Sequence, residues 1–527
     1  MRSYTLPGAI LLILVSVLCH ARAPVPFINL LFGPYPSMAS SQGETSKAVS
    51  KPAASIGPVA QLGSWTAPAL LCPTDGNCLV GANLALMHTG QILFYFYPEK
   101  KSGPGSLAVI LDPTSGSVTD VLLTAPRDIF CSGVAIMSNG QVLSTGGNIP
   151  NAPNSHAGDW NTDIFDSASS TWMLGNNMNY ARWYPSTIEL PSGLELEVSG
   201  NDETGYIVQS ALETFDYHTG VWTTLPASAN LPNALLDNSG YPRLSLLTTG
   251  KVFASTPTAA TYVFDPVKNT WTFQADTNFG NRYYAGHVLL PGLNKVLIAG
   301  GSPISKNGTG TTTNSAEVID FSTPSPTWQY INPMNIARMN ENLVLLPDGT
   351  VLAVGGGSGD GAYANPVFTP ELYDPVAGTW TEMAPQVGHR AYHSTAAVLP
   401  DGRVISAGSD DKQQYQRTYE IYSPPYLFKG ARPTITSSPA TLTYGAQFTI
   451  TSPDATSITR VALLRPSATT HADDMDQRYV DLTFTARSGM IAAKAPPNAN
   501  HAPPGYYMLV IVNSSGVPSV MPFLQIM

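Results

Sequence analysis

The chain has 527 residues, only 12% of them charged, and a formal net charge of −10. With no basic cluster, that balance excludes nucleic acid as a partner class. Beyond the N-terminal segment no apolar run reaches the length of a membrane span, and the remaining chain is long enough for two or more domains with sizeable cores.

Arg2, the apolar run Leu6–Leu18 and the small-x-small site Ala21-Arg22-Ala23 predict a signal peptide over residues 1–23 and secretion to the cell exterior. Residues 24–60 are rich in Pro, Ala and Ser and lack any sustained helix or strand period. They read as a linker or disordered leader, with no room for a separate carbohydrate-binding domain. Of the four cysteines, Cys19 leaves with the signal peptide, and Cys72 and Cys78 suit a local disulfide across the turn at Pro73, Asp75 and Gly76. Cys131 is left over. It is an inert buried thiol (the commonest case), half of an intermolecular bridge, or a functional sulfur. Asn307-Gly308-Thr309 and Asn513-Ser514-Ser515 are glycosylation sequons.

From Trp65 onward the chain repeats. An apolar strand, a tight turn and a second apolar strand recur seven times, first at Met87-His88-Thr89-Gly90 and then with the fourth turn residue at Gly140, Gly193, Gly250, Leu293, Gly349 and Gly402. Glycine at that place supplies the positive φ a hairpin needs. A further strand ending in a polar turn and a tryptophan follows most of them, at Trp172, Trp222, Trp271, Trp328 and Trp380, spaced 49 to 57 residues apart. A period near 50 with glycine pairs and a trailing tryptophan is the kelch signature of a β-propeller. The expected architecture is all-β, with a seven-bladed kelch propeller over residues 61–430. Because Trp65 precedes the first hairpin and the last blade lacks a trailing tryptophan, the strand near Trp65 is expected to complete blade 7. Residues 431–527 lose the repeat and show alternating strands at Phe448–Thr451, Val461–Leu464 and Tyr507–Val512, which predict an immunoglobulin-like β-sandwich.

Ligands of a propeller bind where inner strands converge on the central channel. Cys131, Tyr184, Tyr392 and His393 each lie nine or ten residues before their turn residue, so they occupy comparable depths in different blades. Neighbours on a regular strand face opposite ways, so Tyr392 and His393 both reach the channel only if the strand bends or ends there. His389, four residues before His393, is an alternative ligand.

Four motifs in order, Phe130-Cys131-Ser132-Gly133, Ala181-Arg182-Trp183-Tyr184, Tyr392-His393-Ser394 ahead of Leu399-Pro400-Asp401-Gly402, and Thr470-His471 ahead of Asp476-Gln477-Arg478, resemble those of the copper radical oxidases. That family includes galactose oxidase and the glyoxal oxidases. The resemblance covers roughly residues 65–527 and implies one copper ion held by Tyr184, Tyr392, His393 and His471. It also implies a Cys131–Tyr184 thioether carrying a tyrosyl radical, with His471 delivered by a hairpin of the sandwich. His501 is the competing C-terminal histidine. Two imidazoles with phenolate oxygen suit Cu(II) with one position open, and a phenol whose ordinary pKa is about 10 needs a metal to ionise it. Copper plus the radical accepts two electrons, with Tyr392 as the proton acceptor and dioxygen leaving as hydrogen peroxide.

Galactose oxidase places a tryptophan in the blade loop after the Tyr184-type strand, whereas here Ser199-Gly200-Asn201-Asp202-Glu203-Thr204 holds no aromatic. That departure favours the glyoxal oxidase type, a secreted monomer oxidising small aldehydes such as glyoxal, methylglyoxal or glycolaldehyde with dioxygen, alongside peroxide-consuming enzymes. Oxidation of primary alcohols or sugars, and a non-catalytic kelch binding protein, are the alternatives.

Overall fold

The computed structural model describes residues 58–527 apart from short stretches at 74–75, 77, 97–104, 126, 151, 237–240, 305–310, 359–364 and 412–413. The expected signal peptide with Cys19, the leader up to residue 57 and the sequon at Asn307 lie outside the described residues. No helix among the described residues is long and apolar enough to cross a membrane.

Each hairpin turn closes on a residue with positive φ, as at Gly140 (86°) and Gly193 (80°). At Leu293 (61°) a leucine takes the same conformation. The turns join strands that build seven antiparallel sheets. Blade 2 runs outward through Gly133–Ile136, Val142–Thr145, Thr162–Asp166 and Thr171–Leu174, and blades 3 to 6 repeat that order. Blade 7 consists of Ser394–Val398, Val404–Gly408 and Thr418–Ser423, and its outer strand is Ser64–Trp65, paired Ser64 to Ser423 and Trp65 to Tyr422. The ring closes through the N-terminal strand, as expected. Trp65 also does what the trailing tryptophans do elsewhere. Its indole N–H donates to Ala384 O at 2.7 Å in the connection leaving blade 6. Trp271 and Trp380 likewise donate to Ala229 O and Asn332 O, each in the connection leaving the preceding blade.

A second repeated device is less visible in sequence. Arg182–Glu213, Arg282–Glu317, Arg338–Glu371 and Arg390–Glu420 are ion pairs at 2.6–3.2 Å with side chains at most 1% exposed. Each arginine lies just before an innermost strand and each glutamate on the third strand of the same blade. The glutamates also accept backbone N–H groups from the incoming connection, as Glu371 does from Asn335 and Ile336. Charge is tolerated in this interior because each guanidinium meets a carboxylate and a backbone carbonyl, Ser199 O, Gly300 O, Gly355 O and Gly408 O in turn.

Glu341 sits on the same inner wall without such a partner for both oxygens. One accepts the Gly286 N–H, and burial pushes its carboxyl up to about 8. A carboxyl raised in the folded state from its ordinary value of 4.5 favours folding fully below that value and loses the contribution as pH rises towards 8. Glu341→Gln should therefore gain stability relative to wild type between pH 5 and pH 8, by a few kcal/mol, read from urea midpoints at the two ends. An unchanged difference across that window would contradict it.

The C-terminal domain packs a five-stranded sheet (Thr441–Leu442, Phe523–Ile526, Gly505–Asn513, Ile458–Arg465, Arg478–Asp481) on a three-stranded one (Gln447–Thr451, Met490–Lys494, Phe484–Arg487). Its core holds Ile450, Val461, Leu463, Ile491, Leu509 and Ile511. This is the expected sandwich. Buried Arg465 ties it to the propeller, pairing with Glu189 of blade 3 and with Asp476. From the end of the Ile458–Arg465 strand, a hairpin leaves the sandwich as Ala468–Thr470 and Asp473–Asp474. It adds to the inner edge of blade 1, pairing Thr470 with Asn83 and Ala468 with Ala85.

Candidate active site

One backbone device brings the predicted side chains together. Cys131, Tyr184 and His393 each stand just before an innermost strand with φ of 62°, 66° and 62°. Few residues other than glycine adopt that left-handed conformation, and its cost is borne chiefly at functional sites.

Blade 7 resolves how adjacent residues share one site. In blades 3, 5 and 6 the buried arginine precedes the left-handed residue by two positions, as Arg182 to Tyr184, Arg282 to Tyr284 and Arg338 to Asn340. In blade 7 the spacing from Arg390 to His393 is three. The extra residue is absorbed by a turn in which Ser394 N–H donates to Ala391 O at 3.1 Å, and the strand begins only at Ser394. Strand alternation therefore does not apply to Tyr392 and His393, whose rings lie 3.8 Å apart between centroids.

His471 occupies a two-residue hairpin turn with Ala472, at φ of 50° and 60°, the pair of left-handed residues a type I′ turn requires. It is 4% exposed despite its polar flanks. Its ring centroid is 4.3 Å from His393, 4.7 Å from Tyr184 and 5.5 Å from Tyr392. Its Nε2 lies 3.7 Å from Cys131 Sγ. One ligand atom from each of Cys131, His393 and His471 falls within 4.8 Å of the others, and the hydroxyls of Tyr184 and Tyr392 hydrogen-bond each other. Sulfur, two phenols and two imidazoles meet at one point.

The surroundings orient the two imidazoles. Thr470 Oγ1 donates to Ala82 O, so at His471 Nδ1, 2.6 Å away, it accepts, and Nε2 becomes the basic nitrogen turned inward. His393 Nδ1 lies 2.6 Å from Asp410 Oδ1, so the carboxylate backs the ring. From blade 4, Arg243 clamps the hairpin tip through Asp473 at 3.2 Å and the His471 carbonyl at 3.3 Å. The competing histidines stay apart from the cluster. His389 is only partly buried, and burial lowers its pKa to about 4. His501 hydrogen-bonds Asn498 within the sandwich at 2.9 Å.

Three further aromatic residues complete the site: Trp183, which in sequence reads with Arg182 as a neighbour that shapes the pocket or simply packs, and Tyr241 and Tyr284, which the sequence reading misses. Trp183 stacks on Tyr184 at 3.7 Å and 7°, because the left-handed turn at Tyr184 puts consecutive side chains on one side. Arg182, its neighbour, is the packing element, while Trp183 belongs to the site. The stacked tryptophan that the loop at 199–204 lacks is thus supplied from the strand. Tyr241 covers the opposite face of Tyr184 at 4.6 Å and 24°, and Tyr284 meets Tyr392 edge-on at 5.9 Å. The signal was present in the repeat. Tyr241 and Tyr284 lie nine residues before Gly250 and Leu293, the same offset as Cys131, Tyr184 and His393.

The donor set fits copper, since imidazole nitrogen and phenol oxygen in one buried cluster are what tetragonal Cu(II) takes. Those donors, gathered where the inner strands of the blades begin, make a candidate copper centre. Residues 105–426 match the family model described as glyoxal oxidase N-terminus, and residues 432–526 match the galactose oxidase-like Early set domain. Galactose oxidase of Gibberella zeae is 30% identical over 506 residues, spanning 89% of this chain and 72% of that protein. Aldehyde oxidase GLOX of Vitis pseudoreticulata is 28% identical over 469 residues, spanning 80% and 85%. A solved fungal alcohol oxidase of the AA5 family, in complex with copper, superposes with a TM-score of 0.77 at 24% identity, covering 88% of this chain and all of the other. The chain belongs to the copper radical oxidase family, whose members are copper-dependent oxidoreductases using dioxygen.

Proposed function

We propose that this protein oxidises small aldehydes, as their hydrates, to carboxylic acids, with Tyr184, Tyr392, His393 and His471 holding the copper ion. The convergence of those four side chains with Cys131 carries the reading. Copper paired with a radical on Tyr184 supplies a two-electron acceptor. Cys131 is joined to the Tyr184 ring as a thioether, which spreads the unpaired electron. Trp183 and Tyr241 shield both faces of that ring from water. Tyr392 takes the proton of the reacting hydroxyl, and Tyr184 takes the hydrogen atom from carbon. The overall balance is one aldehyde hydrate and one dioxygen giving one carboxylic acid and one hydrogen peroxide.

The match to the glyoxal oxidase model over residues 105–426 supports aldehydes. Similarity to galactose oxidase supports primary alcohols as the second reading. The Cys72–Cys78 disulfide agrees with secretion into an oxidising compartment, where peroxide-consuming enzymes would use the product.

Mass spectrometry of copper-loaded protein should find the Cys131 and Tyr184 peptides joined, with the loss of two hydrogens. Peroxide release should be faster with methylglyoxal than with galactose. Separate peptides after aerobic copper loading would overturn the radical site, and a preference for galactose would move the substrate to the second reading.

A further inference from the structure

Blade 6 contributes a residue to the inner rim that neither the metal site nor the aromatic stack uses. Asn340 lies nine residues before Gly349, the offset that Cys131, Tyr184 and His393 share, and its φ of 61° matches theirs. Equivalent backbone at an equivalent register of a pseudo-symmetric ring sends its side chain where theirs go. It is 1% exposed, and among the described residues neither its Oδ1 nor its Nδ2 has a hydrogen-bond partner. Its neighbour Met339 packs with Tyr284 and Tyr392, and its own N–H donates to Tyr284 O at 2.8 Å. Asn83 and Gln386 also bury both amide atoms without a partner, but only Asn340 combines that state with the register and left-handed backbone of the site residues.

We infer that Asn340 is the specificity-determining residue, holding the second hydroxyl of an aldehyde hydrate while the first faces Tyr392. This inference rests on the oxidase reading. A primary alcohol brings one oxygen to the reacting carbon. A hydrate brings two, and the second hydroxyl can donate to Oδ1 and accept from Nδ2. In the reaction the carbon gives its hydrogen atom to the Tyr184 radical, the first hydroxyl its proton to Tyr392, and the one electron left on the substrate would pass to the Cu(II) that the site would hold. The hydroxyl on Asn340 keeps its proton and becomes the O–H of the acid.

The test compares the full-length, copper-loaded protein with Asn340→Gly, which keeps the left-handed backbone, and Asn340→Asp, which keeps shape but loses the donor. For Asn340→Gly, kcat/KM on methylglyoxal should fall at least about tenfold, mostly through KM, with benzyl alcohol changed less than about twofold. Asn340→Asp should fall between. A readout independent of turnover uses hexafluoroacetone hydrate, a gem-diol with no hydrogen on its central carbon. Copper broadening of its fluorine signal should be lost in Asn340→Gly, while that of hexafluoro-2-propanol, with one hydroxyl, should persist. Equal losses on both substrates, or unchanged broadening of the diol, overturn the role of Asn340 while leaving the oxidase intact. Failure of the wild-type protein to form the radical or release peroxide overturns the oxidase reading, and this inference with it.

Discussion

Tyr184→Phe should fold, bind copper more weakly and lose turnover altogether. Losing a proton acceptor such as Tyr392 costs about 10²–10⁴-fold, so Tyr392→Phe should retain a measurable residue of activity. The phenol oxygen of Tyr184 is both a proposed metal donor and the seat of the proposed radical, so its removal leaves no acceptor for the hydrogen atom. The loss should exceed about 10⁴-fold and approach the detection limit. Peroxide release and the visible radical absorption, measured together, check the result. Turnover of Tyr184→Phe equal to that of Tyr392→Phe would show that Tyr184 serves only to position metal.

The largest structural effect is expected at the Arg–Glu pairs. Glu371→Ala leaves Arg338 charged and fully buried, and strips the acceptor from the N–H groups of Asn335 and Ile336. Breaking one member of such a pair costs about 3–5 kcal/mol. That is a large share of the roughly 5–15 kcal/mol that holds a protein folded. By contrast, Lys251 pairs with Asp265 at 3.5 Å with its side chain 44% exposed, and Lys251→Ala should cost less than about 1 kcal/mol. Urea midpoints of the two variants provide the comparison. A double change, Arg338→Met with Glu371→Leu, should recover much of the loss, because the isolated charge rather than the missing attraction does the damage.

Much of the architecture was legible because it is written as repetition. The hairpin turn is copied seven times and the trailing tryptophan five, and Trp65 fills the place left open at blade 7. The site was legible where it obeys the same register, and the offset of nine that marks Cys131 and Tyr184 also marks Tyr241, Tyr284 and Asn340. Trp183 stands beside the site in the sequence, where an Arg-Trp pair reads first as packing, and the positive φ at Tyr184 is what brings it onto the Tyr184 ring. His471 could not be read from its surroundings. Thr469, Thr470, Asp473 and Asp474 look like an exposed turn, yet the partner that buries them is the Asn83–Leu86 strand, at the other end of the chain. Resemblance supplied what local pattern could not.

Both ends of the described chain finish the ring at adjacent blades. The Ser64–Trp65 strand completes blade 7, and the hairpin bearing His471 is grafted onto blade 1. Synthesis must therefore pass His471 and its hairpin before the fourth proposed ligand can reach the other three. A copy halted within the propeller would lack the fourth donor of the proposed copper site, so the proposed oxidising centre would come together only after the sandwich hairpin has docked.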